Sequence, residues 1–259
     1  MNDDRNLPLP DLDAVAAIAR QAAALVMEVY ALDFAVQSKA DASPVTEADE
    51  RAEALIVPAL RRLAPGVPVV AEEMVARGEV EAIGARFWLV DPLDGTREFV
   101  SRNGEFTVNI ALVEHGAPVL GVVAAPALGR LYAGARDQGA WVEDEAGRRP
   151  IAVQAVPSEG LRVVASRSHG DPAALDRFLA GRRVAQRIDI GSSLKLCLLA
   201  AGQADLYPRL GRTMEWDIAA GHAVLAAAGG RVNRLDGQPL RYGKPGFENP
   251  HFVAQGGGA

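Results

Sequence analysis

Residues 86–99 read Arg86-Phe87-Trp88-Leu89-Val90-Asp91-Pro92-Leu93-Asp94-Gly95-Thr96-Arg97-Glu98-Phe99. The first five form an apolar run of strand length, so a buried strand is expected to end at Val90 and open into a solvent-facing loop at Asp91. Pro92 fixes one dihedral and biases Asp91 toward an extended backbone, while Gly95 permits a left-handed bend. Two carboxylates held on one stiff turn repel each other. A cation between them removes that cost, and carboxylates with backbone carbonyls are the hard oxygen donors that Mg²⁺ prefers. On this reading Asp91, the Leu93 carbonyl and Asp94 hold metal, and the N–H groups of Gly95 and Thr96, opening a short helix, face a phosphate. An Asx-rich turn needs the same Asp and Gly without an ion, so the stretch alone leaves both readings open.

Working outward, 259 residues at 49% hydrophobic can bury a large core as one big domain or two packed halves. The division is expected between residues 158 and 159. A net charge of −6 gives no overall attraction for nucleic acid or an anionic membrane. The lone Cys197 excludes an internal disulfide and sits in an apolar helix-like run. Neither a secretory signal nor an 18-residue apolar span is evident, so a cytoplasmic protein with no integral membrane segment is expected.

In chain order, Asp11 is expected to cap a first helix whose Leu12, Val15, Ile18, Ala22, Leu25, Val26 and Val29 recur at helical spacing. Lys39 to Val45 has the composition of an ordered loop, and Thr46 looks like the cap of a helix that reaches about Leu63, with Pro58 a kink or breaking point. Asp49 there complements the helix dipole. Val67 to Ala71 reads as a strand ending in Glu72-Glu73, and a neighbouring strand ending at Asp91 would set Glu72 beside Asp91. Residues 74–85 read as an exposed connection. Phe106–Val113, Val119–Val123, Leu131–Ala135 and Ala140–Glu143 read as an antiparallel meander.

From Leu161 strands and helices alternate: 161–165, a helix from about Pro172, a strand at 184–190, then Gly191-Ser192-Ser193 opening a helix that stops near Gly202. Ala204–Arg209 reads as a short strand. A helix then begins with Asp217 as its N-cap. The tail Gly256-Gly257-Gly258 is expected to be disordered.

Glu72, Asp91, Asp94 and Asp217 all fall at element ends, where distant segments can converge on one cleft. No His-x-x-x-His or Cys-x-x-Cys accompanies them, so Mg²⁺ or Mn²⁺ is favoured over zinc. Such a site beside helix N-termini suits hydrolysis of a phosphate ester.

Glu72-Glu73, Asp91 to Phe99, Asn103 to Asn109, Gly191 to Lys195 and Trp216 to His222 together resemble the lithium-sensitive Mg²⁺ phosphatases of the inositol monophosphatase superfamily. Within it the likeness is greatest to the bacterial 3′(2′),5′-bisphosphate nucleotidases. The resemblance spans about residues 10–252. It implies an α/β protein with an α+β N-terminal half and an α/β C-terminal half, layered as an α-β-α-β-α sandwich. It also implies two or three Mg²⁺ ions, Mn²⁺ being possible, held by Glu72, Asp91, the Leu93 carbonyl, Asp94 and Asp217. Asp49 and Thr96 would orient the attacking water, and Glu105 to Asn109 would pack around the site.

Arg209 stands where inositol phosphatases carry an acid for sugar hydroxyls, and a cation there suits a second phosphate. Ser192, Ser193 and Lys195 would extend that anion pocket, while Ser166 and His169 would contact the nucleotide. The expected reaction is hydrolysis of 3′-phosphoadenosine 5′-phosphate to AMP and phosphate. The alternative is an inositol monophosphatase, possibly also cleaving fructose 1,6-bisphosphate. An aspartyl-phosphate enzyme would space its acids as D-x-D, and a metal or nucleotide sensor would need neither Asp49 nor Thr96. A monomer or a homodimer is compatible with the sequence.

Overall fold

The computed structural model describes residues 8–31, 36–38, 44–167 and 170–258. α1 (Leu12–Tyr30) starts where the Asp11 carboxylate accepts the Asp13 N–H at 3.0 Å, and its Leu12, Val15, Ile18, Ala22, Val26 and Val29 are buried as the spacing requires. A short ribbon of β1 (Val36–Ser38) and β2 (Pro44–Thr46) precedes α2 (Glu47–Leu63), which runs through Pro58 without ending. Residues 39–43 of the expected loop lie outside the described residues.

The larger sheet has the order β3 (Val69–Ala71), β4 (Arg86–Asp94), β5 (Thr107–Glu114), β6 (Ala117–Ala125), β7 (Arg130–Ala135), β8 (Gly139–Asp144) and β9 (Gly147–Ile151). From β4 onward it is an antiparallel meander, of which β5 to β8 were read from the sequence, while β3 runs parallel to β4. Two expectations change here. The strand through Trp88 does not stop at Val90 but continues to Asp94, with a register slip against β5 between Asp91 and Asp94. Pro92 has no N–H to give the ladder, so the acids ride an irregular strand end instead of a free loop. Residues 72–76 form α3 (Glu72–Ala76) with Met74 buried, so the exposed connection is shorter than 74–85.

The smaller sheet has the order β11 (Val184–Ile190), β10 (Leu161–Ser166), β12 (Leu206–Arg209), β14 (Phe252–Gln255) and β13 (Arg231–Arg234). β10 is parallel to β11 and β12, as strand–helix alternation demands, and β14 is antiparallel to both its neighbours. The tail is ordered, contrary to expectation: the Gly256 N–H donates to the Asp205 carbonyl at 2.9 Å, and Gly257 bridges to Ala155. Among the described residues no helix is long and apolar enough to cross a membrane.

Besides α4 (Thr96–Val100), the remaining helices are α5 (Pro172–Leu179), α6 (Leu194–Ala200) and α7 (Glu215–Ala227). Alternate residues of the large sheet sort the core into layers. Trp88, Val90, Ile110, Leu112 and Val122 pack under α1 and α2. Phe87, Leu89, Ala111, Val113 and Val123 face α6 and α7, whose other side meets Val164, Tyr207 and Phe252 of the small sheet. Leu179 of α5 covers Val163 and Leu206 on the outer face. The result is the α-β-α-β-α sandwich. α7 lies close on the large sheet: a methyl at Gly121 would stand 2.3 Å from the Ala220 carbonyl oxygen, and one at Gly134 would stand 2.9 Å from Ala227 Cβ. Cys197, buried in the middle layer, has its thiol pushed up by desolvation and is a packing residue.

Candidate active site

Parallel pairing sets Ala71 opposite Val90, so the next residues along, Glu72 just past β3 and Asp91 in the last stretch of β4, follow each other side by side. α3 is anchored from beneath by Glu53. Its Oε2 accepts the N–H groups of Glu73 and Met74 at 3.0 and 3.2 Å, and its Oε1 takes Arg77 at 2.7 Å. Burial pushes the Glu53 carboxyl up, and Arg77 opposes it. Nothing in the sequence pairs residue 53 with 73–77. The available signal was an acid one helical turn beyond Asp49, on the buried face of an amphipathic helix.

Asp91 is buried, and its Oδ1 accepts the Leu93 N–H at 3.1 Å. Its carboxyl is raised well above the ordinary range, first by desolvation and then by repulsion from Glu72, Asp94, Asp217 and Asp49. One buried group therefore feels acids from α3, β4, α7 and α2. Asp217 is pushed up to about 8 by burial, then by Asp94 and Glu72. Asp94 rises to about 6 through burial, with Lys195 and Asn109 pulling the other way. Among the described residues no group of three or more His, Cys, Asp or Glu side chains stands, as placed, so that it could hold a metal ion. The acids sense one another through their charges.

Asp217 is not the N-cap that the sequence suggested. α7 begins at Glu215 with Met214 as its cap, and Asp217, in the third helical position, accepts the Met214 N–H on Oδ2 at 2.9 Å. Glu215 and Trp216 are already helical, so the acid caps backwards and leaves its second oxygen to the cluster. Gly95 has φ +89°, and a methyl there would stand 3.1 Å from the Glu105 carbonyl oxygen, so both conformation and space demand glycine. The Thr96 hydroxyl donates to the Leu93 carbonyl at 3.4 Å. Asp49 is fully buried in the first turn of α2, which makes it part of this site and not an exposed helix-end acid. Thr107 and Asn109 do more than pack: both donate to Asp94 Oδ2, at 3.5 and 3.4 Å.

Across the cleft, Lys195 and Arg209 are buried cations, not solvated ones. Desolvation lowers the Lys195 ammonium to about 8 against the pull of Asp94, and it donates to the carbonyls of Ser192 at 2.6 Å and Ile190 at 3.1 Å. The Arg209 guanidinium donates to Gly211 O at 3.2 Å and Arg212 O at 2.7 Å. Ser192 adopts φ +46°, and the buried Ser193 hydroxyl has no hydrogen-bond partner among the described residues. Glu105, read from the sequence only as packing around the site, bridges the two sheets. It takes Arg167 bidentately at 2.9 and 2.7 Å and the Gly191 N–H at 2.7 Å. Ser166 closes β10 next to this bridge. His169 lies outside the described residues.

The donors are oxygens, and the charge is negative, buried and shared, which fits a hard divalent cation and not a soft one. The fold and this acid cluster define a class, and the comparisons agree: the model of the inositol monophosphatase family matches residues 10–256. The chain belongs to that family, whose enzymes are metal-dependent phosphatases. It is 50% identical over 244 residues to the 3′(2′),5′-bisphosphate nucleotidase CysQ of Escherichia coli strain K12, covering 93% of this chain and 98% of that one. It is 48% identical over 244 residues, with the same coverage, to the protein of that name in Salmonella typhimurium. Among solved structures, CysQ from Bacteroides thetaiotaomicron superposes with a TM-score of 0.80 at 36% identity, over 95% of this chain and 96% of that one. The inositol monophosphatase of Anabaena gives 0.72 at 27% identity, over 94% and 89%.

Proposed function

We propose that this chain is a Mg²⁺-dependent 3′(2′),5′-bisphosphate nucleotidase that converts 3′-phosphoadenosine 5′-phosphate to AMP and phosphate. The observation that carries the reading is Asp91: a buried carboxylate whose charge is opposed by acids from four separate elements needs a cation to ionise. Glu72, Asp91, the Leu93 carbonyl, Asp94 and Asp217 would hold two or three Mg²⁺ ions, or Mn²⁺ in their place. When bound, such ions neutralise the phosphoryl oxygens and lower the pKa of water.

The chain's own groups do the rest. Thr96 and the buried Asp49 orient the attacking water, and Asp49 holds its proton. The Gly95 and Thr96 N–H groups receive a phosphoryl oxygen. Lys195 and Arg209 keep a positive potential on the cleft's other wall, which favours a substrate with a second phosphate over an uncharged polyol. Ser166, Ser192 and Ser193 would add to that anion pocket, and His169, outside the described residues, would contact the nucleotide. Residues 1–158 would supply most of the metal ligands and residues 159–259 Asp217 and the substrate pocket, the two halves packed as one compact unit.

The nucleotide reading rests on Arg209 and on the names of the nucleotidases at about half identity. Comparing kcat/KM for 3′-phosphoadenosine 5′-phosphate and inositol 1-phosphate with Mg²⁺ present tests it. A preference for the nucleotide of at least about tenfold is expected, roughly 1.4 kcal/mol. A preference for the inositol ester overturns the substrate and spares the metal site.

A further inference from the structure

The first turn of α7 is held by a buried polar clasp that ties it to residues 241–249. Glu215, the first residue of α7, is fully buried. Its Oε2 accepts the Gly243 N–H at 2.7 Å, and its Oε1 accepts both the Lys244 N–H at 2.9 Å and the Lys244 ammonium at 2.6 Å. That ammonium also donates to Arg241 O at 2.6 Å and Asn249 Oδ1 at 3.1 Å, which uses all three of its protons. The Asn249 amide in turn donates to Met214 O at 2.7 Å and to the Thr213 hydroxyl at 3.4 Å, and the Asn249 N–H donates to Thr213 O at 2.9 Å. Met214 is therefore gripped at both ends: its carbonyl by Asn249 and its N–H by Asp217.

We infer that Glu215, Lys244 and Asn249 are positioning residues that fix the Asp217 carboxylate at the acid cluster. The inference rests on the proposed role of Asp217 as a cation ligand. Two physical steps carry it. First, Glu215 stands two positions before Asp217, so the rotation of the helix about its axis, and with it the direction of Asp217, is set by where Glu215 is pinned. Ordinary capping needs one acceptor for one or two N–H groups. Here a whole charged residue is buried and matched by three donors, at a desolvation cost that a cap alone does not justify. Second, Lys244 neutralises Glu215 locally. Without Lys244 the fully buried Glu215 carboxylate would be left as an unpaired charge at the first residue of the helix.

The test is direct binding of Mn²⁺, read by the loss of the free-ion paramagnetic resonance signal, to the wild type and to Asp217→Asn, Glu215→Gln, Lys244→Met, Asn249→Leu and Val164→Ala. Val164 is buried in the middle core and its apolar side chain makes none of the clasp's hydrogen bonds, so its truncation controls for a general loss of stability. Loosening the clasp is expected to raise the Mn²⁺ Kd about tenfold, as loss of supporting contacts does at metal sites. It should also raise the Mg²⁺ needed for half-maximal activity while leaving kcat at saturating Mg²⁺ within about twofold. Val164→Ala should lower the melting temperature without moving the Kd. If Asp217→Asn loses Mn²⁺ while all soluble clasp variants bind as the wild type does, the inference fails and the site reading stands. If Val164→Ala weakens binding as much as the clasp variants do, the clasp is merely structural and the inference again fails. If Asp217→Asn binds like the wild type, both fall together. Glu215→Gln is isosteric and retains an acceptor for the 243–244 N–H groups, so it keeps the test open should Lys244→Met not fold.

Discussion

Asp94 is pulled two ways, up by burial and down by Lys195 and its hydrogen-bond donors, and settles at about 6. Replacing it with Asn is expected to lower kcat/KM at least about 100-fold, the upper end of what supporting contacts cost at metal sites. The same change removes one of several repelling charges. In chelator the melting temperature should therefore hold or rise, and a variant that keeps near-full activity would show that Asp94 is no ligand. Asp217 gives a pH prediction. Its folded pKa of about 8 lies above the ordinary 3.8, so the metal-free folded state binds the extra proton, and its contribution to stability is lost as pH rises toward 8. Buried His222, lowered to about 3 and bonded to the Tyr242 hydroxyl, acts in the opposite direction only below about 6.5. Between pH 6.5 and 8 the metal-free protein should lose stability, and the gain in melting temperature from Mg²⁺ over chelator should widen. A gap that narrows with pH would contradict the carboxylate assignment. At this scale the legible residues were those at strand ends beside Gly or Pro, such as Asp91 and Gly95. Glu53 and Glu215 were not legible, because a buried acid declares itself only through partners 24 and 29 positions away.

α7 reaches the site because it can lie flat on β6 and β7. Gly121 and Gly134 are the cause, each facing helix atoms where a methyl would collide. Gly121→Val is expected to cost about 3 kcal/mol through overpacking, read as a lower urea midpoint. An unchanged midpoint would mean that the contact is not close. Elements with a clean period were read from sequence: α1 by its buried stripe, and β4 to β8 by alternating apolar residues and their turns. β9, with Arg148 and Arg149, and β13, Arg231-Val232-Asn233-Arg234, carry too few apolar residues to signal strands. β14 was hidden beside a glycine-rich tail that sheet pairing orders. Pro58 lacks the N–H an uninterrupted helix would use, yet α2 carries on around it because its apolar face, Ala52, Ile56, Val57 and Leu60, is buried.

At the scale of the molecule, two sheets sandwich α6 and α7, and the cleft opens where strand ends and helix starts from both meet. The layer order was implied by the family resemblance, while the strand–helix alternation after residue 160 pointed only to an α/β half, and the contact between the halves followed from neither. Glu105 and Arg167 lie 62 positions apart, and only the fold pairs them. The pair is largely exposed on the arginine side, so it adds little stability. Glu105 also accepts the Gly191 N–H at 2.7 Å, which ties that turn to the large-sheet half. Glu105→Ala is expected to raise KM about fivefold, near 1 kcal/mol, with a melting temperature close to wild type. A fall in stability with KM unchanged would make the bridge a structural tie only.

The claim beneath all of this is that carboxylates from α2, α3, β4 and α7 form one cation-dependent hydrolytic site. Phosphate release from 3′-phosphoadenosine 5′-phosphate, followed against free Mg²⁺ for the wild type and Asp91→Asn, tests it most directly. The expected result is no turnover in chelator, saturable activation by Mg²⁺, and a loss of at least about 100-fold in the variant. Undiminished release in chelator, or an Asp91→Asn enzyme as fast as the wild type, would contradict it.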